Sequence, residues 1–155
     1  MVTMEGNHSP RRVEILLVED SPSDVLLLRE ALLESKLLNT IHVAEDGMEA
    51  LDFLHRRGRF ASAPPPDLIL LDLNLPRKSG LEVLAEIKAD DTLRHIPVVV
   101  LTTSQTEKDI VESYHLHANC YVVKPIGFES FMTAVQSIRH FWFEIVMLPP
   151  SKKAP

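Results

Sequence analysis

The stretch D-L-I-L-L-D-L-N-L-P, Asp67 to Pro76, decides the fold. Four consecutive apolar residues, Leu68 to Leu71, stand between Pro66 and Pro76 and read as a strand buried on both faces, as the central strands of a parallel sheet are. A carboxylate, Asp72, follows at once. A charge in the core is costly, so Asp72 belongs where the strand emerges, at the carboxyl edge of the sheet. In open α/β sheets that edge binds ligands.

Working outward, the same pattern repeats. Val13 to Val18 (V-E-I-L-L-V) is a first buried strand ending in Glu19-Asp20. Ser21-Pro22 opens a helix, with Ser as cap and Pro in the first turn; Val25, Leu28, Ala31 and Leu32 give it an apolar face, and it fades near Lys36 to Asn39. Thr40 to Ala44 is a short second strand, and Asp46-Gly47 leads into a helix carrying Ala50, Leu51 and Leu54. His55 to Pro66, with glycine and three successive prolines, is a loop. After Asp72, Ser79-Gly80 starts a third helix with Leu81, Leu84 and Ile87 on one side. Ile96 to Leu101 is a fourth strand ending in Thr102. Gln105 to His115 is a weaker helix with Ile110, Val111 and Tyr114 as its main apolar residues. Asn119 to Val123 is a fifth strand ending in Lys124-Pro125. The last helix starts at Gly127 and places Phe131, Val135, Ile138, Trp142 and Ile145 along one stripe. Five alternations of strand and helix predict an α/β protein, a doubly wound five-stranded parallel sheet with helices on both faces and right-handed crossovers.

Composition bounds the function. The 155 residues are 45% apolar and 25% charged, enough for one domain with a single core. The expected organisation is a flexible segment over residues 1–12, a folded domain over 13–148 and a flexible tail over 149–155. A net charge of −6 disfavours nucleic-acid and anionic membrane partners. Arg56, Arg57 and Arg59 read as a solvated basic loop, and the histidines lack zinc-like spacing. No run approaches the roughly 18 apolar residues of a membrane span, and residues 1–12 do not read as a signal peptide. The single cysteine, Cys120, reads as buried packing in a reducing compartment. A cytoplasmic location is expected.

The chemistry follows from the strand ends. The first, third, fourth and fifth strands deliver Glu19-Asp20, Asp72, Thr102 and Lys124, and in a parallel sheet these ends share one edge. Three carboxylates brought together repel one another, so one stays protonated or a cation neutralises them. All-oxygen ligands at a shallow site favour Mg²⁺. Thr102 supplies a hydroxyl and Lys124 a point charge, the groups that hold phosphoryl oxygens. A nucleophilic carboxylate beside a divalent ion and a lysine can form an aspartyl phosphate.

The acidic pair after the first strand, D-x-x-x-P-x-x-x-G at Asp72 to Gly80, a Thr thirty residues after the Asp and Lys-Pro after the fifth strand together resemble the response-regulator receiver domain of two-component signalling, from about Val13 to Ile145. The resemblance implies strand order 2-1-3-4-5 in a three-layer α/β/α fold. It implies that Asp72 is the phosphoacceptor, that Asp20 and Asp72 ligate Mg²⁺ with Glu19 acting mostly through metal-bound water, and that Asn74 offers its backbone carbonyl to the metal. Glu19 stands where Asp is frequent in the family. Thr102 and Lys124 would bind phosphoryl oxygens, the Lys124–Pro125 bond would be cis, and Thr102 with Tyr121 would form the switch. The protein would assist its own phosphorylation and dephosphorylation without turning over outside substrates.

Beyond the core stripe the last helix also carries Phe141, Phe143, Val146 and Met147, more apolar side chains than one buried face absorbs. An interface of Tyr121, Phe141, Trp142, Phe143, Val146 and Met147 is expected, serving a homodimer through helix four, strand five and helix five. The proline-bearing loop, the D-L-N-L-P run and the F-W-x-x-x-V-x-L-P ending resemble stand-alone regulators that partner phytochrome histidine kinases. Two rival chemistries are disfavoured: a haloacid-dehalogenase-type phosphatase wants a second Asp at position 74, which is Asn, and a flavodoxin-like carrier wants a phosphate cradle where Glu19-Asp20 stands. A receiver-like scaffold that is never phosphorylated and signals only by binding is the alternative.

Overall fold

Leu68 to Leu71 form the middle of a five-stranded parallel sheet in the order β2-β1-β3-β4-β5. The computed structural model describes residues 12–33 and 39–150. The elements are β1 (Val13–Val18), α1 (Pro22–Leu33), β2 (Asn39–Ala44), α2 (Gly47–Leu54), β3 (Leu68–Leu71), α3 (Gly80–Ala89), β4 (Val98–Thr102), α4 (Glu107–His115), β5 (Cys120–Val123) and α5 (Phe128–Arg139), which runs into a π-helical turn at His140–Ile145. The fold is the expected one. Residues 1–11 of the expected N-terminal segment, residues 34–38, where the first helix was expected to fade, and residues 151–155 of the expected tail lie outside the described residues.

The alternation of side chains along each strand builds two cores. Leu16, Val18, Ile69, Leu71, Val98 and Val100 face α2 and α3, while Ile15, Leu17, Leu68, Leu70, Val99 and Leu101 face α1 and α5. Because β3 is covered on both sides, all four of its residues are buried. Each such side chain contributes about 1.5–3 kcal/mol by leaving water.

The helices start where the sequence places caps. Asp46 Oδ1 accepts from Glu49 N at 2.8 Å, and Ser79 forms a capping box with Glu82. The loop between α2 and β3 contains one 3₁₀ turn, Gly58–Phe60. α4 is the least embedded helix. Val111 and Tyr114, two of its expected apolar contacts, are exposed, and the residue it buries fully is Ser113.

Two further expectations are corrected. The stripe Phe131, Val135, Ile138 continues into Phe143, which is buried, while Ile145 is exposed. The cause is the π turn: Val146 N donates to Phe141 O, five residues back, which changes the phase of the inward face relative to an α-helix. Phe143 is therefore core, not interface. The Lys124–Pro125 bond is trans, since no cis peptide bond occurs among the described residues. Trans is the intrinsically lower isomer by about 0.5–1 kcal/mol for X–Pro, and the chain bends into α5 at Gly127, whose φ of 96° suits glycine.

Candidate functional site

The ends of adjacent strands are tied laterally just where the chemistry-bearing residues begin. Glu19 N donates to Ala44 O, Asp72 N to Val18 O and Lys124 N to Thr102 O. These bonds extend the ladder by one residue and fix the carboxylates and the lysine at one edge. The start of α3 packs closely on the backbone after β3: a Cβ on Gly80 would stand 2.3 Å from the carbonyl oxygen of Asp72 and 2.5 Å from Leu73 Cα.

Lys124 is the centre of the cluster. Its Nζ lies 2.6 Å from Glu19 Oε1, 2.8 Å from Asp24 Oδ2 and 3.0 Å from Asp72 Oδ2. Glu19, Asp72, Thr102 and Lys124 are all buried, and Asp20 is exposed at the rim. Burial pushes the Glu19 carboxyl up to about 7 against the opposing pull of Lys124. Burial alone would lower the lysine, but its hydrogen bonds to Asp24 and Glu19, with the charges of Glu19 and Asp72, together hold it above its ordinary value. The ammonium is thus locked in its charged form.

Glu19, Asp20 and Asp72 each offer a carboxylate oxygen within 4.8 Å of the others. An all-oxygen set with one exposed member suits a hard divalent cation that keeps several waters. The buried charge supports the fit, because three clustered carboxylates exceed what a single lysine neutralises.

Asp72 also accepts from Asn74 N at 3.1 Å through Oδ1, so one oxygen faces the loop and the other faces the lysine. Thr102 Oγ1 accepts from Ser104 N at 3.4 Å, and the Tyr121 hydroxyl donates to Ser104 O at 2.9 Å. Ser104 therefore joins Thr102 to Tyr121. The Tyr121 phenol is raised by burial, opposed by that hydrogen bond. α4 is tied in as well, since Tyr121 N donates to the Tyr114 hydroxyl at 3.1 Å.

The structure brings together Glu19, Asp20, Asp72, Asn74, Thr102 and Lys124, with Tyr121 one step away. Sequence reasoning missed Asp24 and Ser104. Asp24 sits in the first turn of α1, where an acid is ordinarily favoured by the helix dipole, and its contact with a lysine 100 residues on leaves no local pattern. Of the expected interface, Phe141 and Met147 are exposed, Trp142 and Val146 are half-buried and Phe143 is buried. Cys120, expected in the core, is half-buried beside Trp142, and burial pushes its thiol up. Among the described residues no helix is long and apolar enough to cross a membrane.

Residues 15–136 match the family described as response regulator receiver domain. The chain is 48% identical over 146 residues to the response regulator Rcp1 of Synechocystis sp., covering 94% of this chain and 99% of that protein. Its structure is similar to that of the Mn²⁺-bound form of Rcp1, with a TM-score of 0.87 over 89% of this chain and 99% of that one at 48% identity. The phosphorylated cyanobacterial phytochrome response regulator RcpA gives a TM-score of 0.88 at 48% identity over 90% of this chain and 100% of that one. With the strand order, the acidic edge and these relatives in agreement, the chain belongs to the response-regulator receiver domain family, a signalling family, and is related to the stand-alone phytochrome response regulators.

Proposed function

We propose that this protein accepts a phosphoryl group from a histidine kinase of the phytochrome type onto Asp72, with Mg²⁺, in the cytoplasm, and signals by changed protein contacts. The observation that carries this reading is the Lys124 ammonium lying 3.0 Å from Asp72 Oδ2 at the edge of a three-carboxylate group. Asp72 oxygen attacks the phosphorus of a phosphohistidine, the P–N bond breaks and the imidazole leaves. Lys124 and the Thr102 hydroxyl take the developing charge on the phosphoryl oxygens. Glu19, Asp20, Asp72 and the backbone carbonyl of Asn74 would hold Mg²⁺, which when bound neutralises the phosphoryl charge. The same arrangement lets the protein assist attack of water on the acyl phosphate, so the mark is temporary.

The Thr102 hydroxyl can donate to a phosphoryl oxygen while still accepting from Ser104 N, so a shift of Thr102 carries Ser104 with it. Tyr121 follows through its bond to Ser104 O, and α4 through Tyr114. α4 is well suited to move. The residue it buries is the small Ser113, whose hydroxyl has no hydrogen-bond partner.

Val111 and Tyr114 on α4 with Phe141, Ile145 and Met147 past α5 leave apolar side chains in water, which supports a homodimer through α4, β5 and α5. Sedimentation of the protein with and without beryllofluoride tests it: a monomer at micromolar concentration in both states contradicts the dimer. The kinase partner is tested by phosphotransfer from a purified phytochrome histidine kinase. Labelled phosphoryl groups move to the wild type and not to Asp72→Asn; failure with every such kinase overturns the assignment.

A further inference from the structure

Three carboxylates converge on one ammonium group, and one of them stands outside the group that suits a divalent cation. Lys124 Nζ has three donors, and they go to Glu19, Asp24 and Asp72 at 2.6, 2.8 and 3.0 Å. Glu19 and Asp72 belong with Asp20 to the cation-binding set, and Asp24 does not. In this arrangement the lysine holds two of the carboxylates that a cation needs. Ammonium and cation compete for them.

Asp24 is held in place by a closed ring of hydrogen bonds. Glu19 Oε2 accepts from Ser21 N at 3.2 Å, and Ser21 Oγ accepts from Asp24 N at 3.3 Å. Asp24 Oδ2 accepts from Lys124 Nζ, which returns to Glu19 Oε1. The lysine side chain is 5% exposed and that of Asp24 26%, so Asp24 is the partner on the solvent side of the ring. A lysine that gives up Glu19 and Asp72 keeps a charged partner there, and its buried charge never stands alone.

We propose that Asp24 is a positioning residue: the carboxylate onto which Lys124 shifts when Glu19 and Asp72 turn to a divalent cation, keeping the ammonium beside Asp72 for the phosphoryl oxygens. This rests on the reading of Asp72 as phosphoacceptor. Without Asp24 the lysine's remaining charged partners are the cation's own ligands, so the cation binds less readily.

A double-mutant cycle on the full chain tests this with Mn²⁺ as the probe, its affinity read by calorimetry for wild type, Asp24→Asn, Lys124→Ala and the double variant. Asp24→Asn weakens Mn²⁺ binding about fivefold with Lys124 present and less than about twofold without it, as expected for groups in contact. Asp24→Ala, which removes the acceptor as well as the charge, shows a loss at least as large. An equal loss in both backgrounds overturns the proposal, because Asp24 then only adds to the negative field. No loss, or tighter binding, overturns it too, because Asp24 then holds the lysine onto the metal ligands. In phosphorylation by acetyl phosphate, Asp24→Asn needs more Mg²⁺ to reach half of its own maximal rate, and a Mg²⁺ dependence unchanged from the wild type contradicts a positioning role. A wild type that takes no phosphoryl group on Asp72 refutes the phosphoacceptor reading while leaving the Mn²⁺ cycle readable.

Discussion

Replacing Phe143 by alanine separates the two possible endings of the last helix. In a continued α-helix the positions after Ile138 that face the core are Trp142 and Ile145, three and four residues apart as in the first part of the stripe. In the structure the π turn brings Phe143 inward, 6% exposed, against the core formed with Phe131, Val135 and Ile138, and leaves Ile145 59% exposed. Truncating a buried phenylalanine to alanine costs about 3–5 kcal/mol. Phe143 lies at the end of the helix, where neighbours can relax into the space, so we take the lower figure, about 3 kcal/mol. For a chain of this length that lowers the melting temperature by about 6–12 °C. Ile145→Ala changes stability by less than about 0.5 kcal/mol, as exposed positions do. Urea unfolding followed by far-ultraviolet circular dichroism, on dilute monomer without phosphodonor, measures both. A larger loss from Ile145→Ala than from Phe143→Ala refutes the π-turn phase and restores the α-helical stripe.

Two other substitutions probe the edge that carries the site. Gly80→Ala places a methyl group against the backbone of Asp72 and Leu73, which cannot yield as a side chain would; it destabilises the protein by about 2–3 kcal/mol and abolishes phosphorylation of Asp72, and a variant of wild-type stability and phosphorylation contradicts the close approach. Asp46 has its carboxyl held below the ordinary 3.8 by the hydrogen bond from Arg77, which binds it at 2.9 Å through both Nε and Nη2. A depressed carboxylate contributes stability above its unfolded pKa and loses it as pH falls through the folded value. Asp46→Asn keeps the helix cap and lacks that contribution, so its melting temperature lies below the wild type at neutral pH and the two converge in acid below pH 3.8; parallel curves contradict the ion pair.

Most of the frame was legible because burial on both faces writes itself into unbroken apolar runs. Leu68 to Leu71 and Val13 to Val18 gave their strands to the residue. The converging edge followed from topology, since parallel strands put Glu19, Asp20, Asp72, Thr102 and Lys124 at the same side whatever the loops do. Contacts between distant elements were not legible. Asp24 and Ser104 act through partners across the sheet edge, and no spacing marks them. Phe143 and Ile145 were exchanged because a change from α to π hydrogen bonding shifts the helix phase while leaving the composition of the segment untouched. The trans bond at Pro125 was likewise invisible, since the isomer is decided by a small energy difference that the sequence motif does not reveal.

Intact-mass measurement after incubation with acetyl phosphate and Mg²⁺ tests the phosphoacceptor most directly. The wild type gains the mass of one phosphoryl group, removal of Mg²⁺ with a chelator prevents the gain, and Asp72→Asn gains nothing. An unmodified wild type, or a phosphoryl group found on Asp72→Asn at the wild-type level, contradicts the assignment and leaves the binding-only scaffold in its place.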